Sequence, residues 1–190
     1  MFMRRRRLLR VAVTVGLVSL CGGLVLPSAS HAATAQQIDA NVDAALAHFD
    51  ATVKGGAKFI AASKGVLVLP QVVKAAFVFG GQYGEGALRE GGKTVGYFSY
   101  GGGSWGASIG IQKKDILFVF RDAGALRQFE KSSGWRVGVD ANVTVINVGA
   151  GADVSTMQIN QPVVAFVNGE KGLMFDVSLN GSKITRITPK

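Results

Sequence analysis

Residues 65–187 form a succession of short apolar, β-branched and aromatic runs broken by glycines, and this pattern constrains the fold most. Runs of this length with turn residues between them are strand signals. Strands are expected over 66–69, 94–100, 104–112, 115–121, 135–140, 142–149, 163–167, 172–179 and 183–187. Phe77-Val78-Phe79 leads into a glycine-rich stretch, and Val72 to Ala76 has the length of one short helical turn. Tight turns fit at Lys113-Lys114, Asn168-Gly169-Glu170 and Asn180-Gly181. One helix interrupts the series: Asp122 is its expected N-cap, Leu126 and Phe129 its apolar face, and Gly134 its end. Repeated helix–strand crossovers are missing, which argues against a doubly wound parallel sheet. The expected fold is α+β: a strongly curved antiparallel sheet or partial barrel, with an N-terminal amphipathic helix and one or two short helices. Glycines inside strands suit such curvature, because they relieve crowding at bends.

The N-terminal helix is read over 34–63. Ile38, Val42, Leu46, Phe49, Val53 and Ile60 recur at near-helical spacing, Thr34 is a suitable N-cap, and Gly55-Gly56 divides or kinks the run.

Residues 1–32 read as a signal peptide. Arg4 to Arg7 and Arg10 precede an apolar run, Pro27 breaks it, and small residues lead to an expected cleavage after about Ala32. Arg6-Arg7 leaves either the general secretory or the twin-arginine route open. Cys21 follows Leu20, where a lipoprotein box wants a small residue, so lipid attachment there is disfavoured. Export to the periplasm or envelope is therefore expected, with residues 33–190 as the mature domain.

Without those five arginines, Lys and Arg fall from 21 to 16 against 12 Asp and Glu, and the net charge drops from +9 to +4. That balance suits anionic lipid and gives little support to nucleic-acid binding. Residues 33–190 hold no cysteine and one histidine, His48, which is read as a surface or packing residue. Thiolate catalysis, disulfides and cysteine-based metal sites are excluded there. No acid–base pair, nucleophile or metal set emerges, so no enzyme activity and no cofactor are expected.

ALREGGKT at 87–94 resembles a phosphate loop only superficially. Such a loop must open a helix, whose N-terminal amides hold phosphate. Here strand-forming Val95-Gly96-Tyr97-Phe98 follows, so Arg89 to Lys93 reads as a hairpin turn and no nucleotide is expected.

KGVLVLPQVVKAAFVFGGQYGEG at 64–86 resembles the signature of the SYLF domain family, and GSWGASIG at 103–110 and GLMFDVSLNGS at 172–182 agree with it. The resemblance spans about residues 35–187. It implies a non-enzymatic lipid-binding domain, with phosphoinositides and other anionic phospholipids as ligands and, in some members, actin contact. Bacterial exported members share a signal peptide and no appended module. A phospholipid head group needs cations and its tails need exposed apolar surface. The candidate cations are Lys54, Lys58, Lys64, Lys74, Arg89 and Lys93, and the candidate apolar contacts are Phe49, Phe59, Phe77 and Trp105. The expected partner is anionic phospholipid or a membrane surface. The alternative is an envelope structural or protein-interaction module without a specific lipid.

Overall fold

The computed structural model describes residues 33–76, 79–105, 110–149, 152–156, 159–169 and 179–190, all within one compact unit, Ala32–Lys190. In chain order its elements are α1 (Ala35–Thr52), β1 (Val53–Lys54), α2 (Gly56–Ala61), β2 (Gly65–Ala76), β3 (Phe79–Glu90), β4 (Lys93–Trp105) and β5 (Gly110–Phe120). There follow α3 (Ala123–Lys131), β6 (Trp135–Arg136), β7 (Thr144–Val148), β8 (Ala152–Asp153), a 3-10 turn (Val154–Thr156), β9 (Val163–Gly169) and β10 (Lys183–Ile187).

Eight strands form one sheet in the order β6-β10-β4-β3-β2-β5-β9-β7, curled into a half-barrel. The α+β class and the curved sheet are as the sequence suggests. Every pairing in it is antiparallel except β7 with β9, so the sheet is mixed. β1 and β8 add a separate two-residue parallel pair.

Alternation along the strands builds two apolar layers. Leu67, Leu69, Leu88, Phe118 and Phe120 face one side, where Phe129 of α3 and Trp135 complete an aromatic cluster. Val66, Val68, Leu117, Val119 and Phe166 face the other, where α1 lays down Ile38, Val42, Ala45 and Phe49. α1 starts with a capping box: Gln37 N–H donates to Thr34 Oγ1 at 3.2 Å, and Thr34 N–H donates to Gln37 Oε1 at 3.0 Å. α3 starts at Asp122, whose carboxylate accepts from Ala125 N–H at 2.9 Å.

Several local expectations are corrected. β2 does not stop at Pro70, and Val72 to Ala76 is strand rather than helical turn. The chain crosses Pro70-Gln71 by a bulge, where the register shifts and a missing proline N–H is tolerated. Gln71 takes a left-handed φ of 49°, and its N–H donates to Asp115 Oδ1 at 2.9 Å. The bulge also changes which side chains point where: Leu67 and Leu69 face the α3 side before it, and Val72 does after it. Lys113-Lys114 is not a turn but lies within β5, opposite Val73 and Val72. The run 104–112 is not one strand: Ser104 and Trp105 end β4, and Gly110 begins β5. The strand at Trp135 lasts two residues because Gly138, at φ 77°, turns the chain. α3 ends at Lys131, before Gly134. The expected strand over 172–179 lies largely outside the described residues.

The hairpin reading of 89–93 holds. Gly91 and Gly92, at φ 54° and 81°, join β3 to β4 in the two-residue turn that favours glycine at both positions.

Candidate functional site

The structure gathers part of the basic set at one end of the sheet, around α2. Phe59 is half-buried and meets Phe166 edge-on at 5.6 Å. The Arg121 guanidinium lies 5.7 Å from the centre of the Phe59 ring and also donates to the Ile159 carbonyl. Lys64 N–H donates to the Phe120 carbonyl at 2.8 Å, which sets Lys64 beside Arg121. Lys58 precedes Phe59 on the same short helix, and Lys58, Lys64 and Arg121 are all exposed. The arrangement is a half-buried ring under one guanidinium, with two exposed lysines, Lys58 and Lys64, at the same end of the sheet. Lys54 lies close by in sequence, 83% exposed at its side chain, and pairs with Asp153 at 3.4 Å. Hydrogen bonds from Ser155, assisted by Lys54, hold the Asp153 carboxyl below its ordinary range.

Other candidates have different places. Phe49 is 1% exposed and packs on Phe166 at 5.0 Å, so it is core rather than membrane contact. Lys74 is 6% exposed because the bulge turns its side toward the interior, so it is no surface cation. Arg89 is a clamp: its Nη2 reaches Asp43 at 2.8 Å and Asp39 at 3.2 Å, tying α1 to β3. Burial alone would raise the Asp39 carboxyl. Hydrogen bonds from Thr94 and Tyr97, with the charge of Arg89, outweigh it and hold the group below the ordinary range. Lys93 is exposed on the hairpin, away from the α2 group in sequence. Phe77 lies outside the described residues, and of Trp105 only the backbone, paired with Phe79, is described.

Arg121 was missed by sequence reasoning. It lies 57 positions from Lys64 and is brought there by the pairing of β2 with β5. The one available signal was a basic residue directly after the apolar run ILFVF.

Beside the cluster, a groove of about 550 Å³ runs between α1, α2 and the β3–β4 turn. Leu46, Ile60 and Val66 supply its apolar lining, and Asp43, Asp50 and Arg89 its charges. Across α1, His48 has Asp115 at 3.4 Å and the Asn168 side-chain amide at 3.4 Å. The same carboxylate holds the bulge amide of Gln71, which gives the pair a structural task. Thr52 Oγ1 donates to the His48 backbone carbonyl at 2.7 Å, while the imidazole meets the Asp115 carboxylate and the Asn168 amide. Among them, too, no group of three or more His, Cys, Asp or Glu converges, and no helix is long and apolar enough to cross a membrane.

No curated protein matches the chain. Residues 101–188 match a family model described as Ysc84, Las17-binding protein actin regulator. That match covers β4 from Gly101 through β10, including the segment GSWGASIG on which the resemblance partly rests. The motif resemblance and the family match agree: residues 101–188 match the Ysc84 model, which is consistent with a SYLF-domain protein.

Proposed function

We propose that residues 33–190 form a non-enzymatic domain that binds anionic phospholipid in the bacterial cell envelope. The observation that carries this reading is the α2 end, where Lys58, Lys64 and Arg121 are exposed together and the Arg121 guanidinium lies over the half-buried Phe59 ring. Cations beside an anionic lipid surface are each worth about 1 kcal/mol. An aromatic side chain at the same level suits the headgroup boundary. The SYLF resemblance supports lipid as the ligand. The arginine-rich, then apolar, leader at 1–32 supports export.

Vesicle cosedimentation tests the reading. The protein should pellet with phosphatidylglycerol vesicles, pellet far less with phosphatidylcholine vesicles, and come off as salt rises. Equal and negligible pelleting with both at low salt would refute it.

The family description names a protein partner and actin regulation, which favours a protein-interaction module as the second reading. Recovery of one stoichiometric partner from envelope extracts, with no lipid binding, would favour that reading instead.

A further inference from the structure

α1 covers the sheet only part of the way along the strands. Beyond the Pro70-Gln71 bulge, the described residues on that face, Val73, Ala75, Gly81, Tyr83 and Ile111, are exposed. The strand registers place five residues in one row across this open face: Lys183 opposite Gly101, Gly101 opposite Tyr83, Tyr83 opposite Val73, and Val73 opposite Lys113. With neighbouring strands about 4.8 Å apart, the row spans roughly 19 Å. The next row outward is Gly103, Gly81, Ala75 and Ile111. Three of the exposed large apolar side chains fall in these two rows: Ile111 at 75%, Tyr83 at 56% and Val73 at 37% exposure. A Cβ added at Gly81, Gly101 or Gly103 would meet nothing within 4 Å, so the glycine part of the surface is open.

The charges are arranged around that apolar strip. Lys113 is exposed at one end of the first row, and at the other Lys183 is exposed with Arg136, also exposed, opposite it on β6. Among the described residues, the carboxylates nearest on this face, Glu85 and Asp115, are both engaged at its border with α1. Glu85 accepts from the Tyr83 hydroxyl at 2.6 Å and from Ala33 N–H at 3.4 Å. Asp115 holds Gln71 N–H and faces His48. An apolar strip between two lysines, with the described acids at its border already occupied, is complementary to the headgroup boundary of an anionic bilayer. It is poorly matched to a second copy of itself, because a two-fold pairing of the rows would set Lys113 against Lys183.

We propose that this open face is a membrane-contact surface, in which Ile111, Val73 and the Tyr83 ring enter the acyl boundary while Lys113 and Lys183 meet lipid phosphates. The inference rests on the lipid reading above and adds a surface to it. The α2 cluster lies toward the other end of the strands, so α1 stands between the two. The open face supplies the exposed apolar area that the α2 cluster lacks.

The test uses the full chain and phosphatidylglycerol vesicles, with phosphatidylcholine vesicles as the control. Ile111→Asp should lower partitioning into the anionic vesicles about tenfold, from loss of one exposed aliphatic anchor, with thermal stability unchanged. In a Cys21→Ser background, an environment-sensitive dye on Ile111→Cys should brighten and shift to the blue on those vesicles. The same dye on Gln128→Cys, in α3 on the opposite side of the sheet, should not. If the wild type binds but Ile111→Asp binds equally and its dye stays water-like, this surface is overturned while the lipid reading stands. If the wild type binds neither vesicle, both fall. A concentration-dependent dimer that Ile111→Asp abolishes, without an effect on vesicles, would overturn the proposal in favour of self-association.

Discussion

Gly86 marks the tightest backbone approach among the described glycines, and replacing it should be far more damaging than replacing Gly81 five residues earlier. A Cβ built on Gly86 would lie 1.9 Å from the Val68 carbonyl oxygen and 2.9 Å from Leu69 Cα, both backbone atoms of β2 at the start of its bulge. Neither atom is the movable end of a side chain. The strand itself would have to shift, and Val68 and Leu69 are fully buried in opposite apolar layers. Overpacking in a core costs about 1–3 kcal/mol where side chains can adjust, and a backbone collision belongs at or above the top of that range. Gly86→Ala should therefore cost at least about 3 kcal/mol. At Gly81 a Cβ meets nothing within 4 Å, so Gly81→Ala should leave stability unchanged or raise it by about 0.5 kcal/mol through the unfolded chain. Urea unfolding, followed by far-UV circular dichroism with the m-value monitored, measures both. A Gly86→Ala protein within about 0.5 kcal/mol of wild type, or equal losses at the two sites, would refute the reasoning that glycine permits the bulge.

Further outcomes follow from the clamp, the acid limb and the cap. Arg89→Met leaves Asp39 and Asp43 without their cation and should cost about 2 kcal/mol in urea unfolding. Asp39 has its folded pKa held down, so its stabilising contribution is present above the unfolded value of about 3.9 and is lost as pH falls through the folded value. Asp39→Asn should flatten that acid limb of the stability profile, and an unchanged limb would contradict it. Thr34→Ala removes one half of the capping box and should cost about 1 kcal/mol, read as a lower urea midpoint.

What could be read from the sequence was mostly local. The apolar spacing of Ile38, Val42 and Phe49 gave α1, Asp122 gave the start of α3, and Gly91-Gly92 gave a hairpin rather than a phosphate loop. The failures have a common cause in distant partners. Pro70 reads as a stop, yet the strand continues because Asp115, 44 positions beyond Gln71, accepts from the bulge amide of Gln71. Lys113-Lys114 reads as a turn, but Lys114 is 5% exposed inside β5. Phe49 and Lys74 look available for lipid until packing and the bulge take them inside. Arg121 and the row from Lys183 to Lys113 exist only through strand register, which no short window of sequence contains.

The central claim is that anionic lipid is held by the cations at the α2 end. It is tested most directly by measuring vesicle partition constants for wild type and for the Lys58→Gln, Lys64→Gln double variant as the phosphatidylglycerol fraction is raised at low salt. Both lysines are exposed, so the fold should be unaffected. Two cations at about 1 kcal/mol each predict a loss of about thirtyfold on phosphatidylglycerol-rich vesicles. The wild-type constant should also climb with phosphatidylglycerol content, and the double variant's should climb less. Identical constants for the two proteins across the series would contradict the assignment of lipid binding to this cluster.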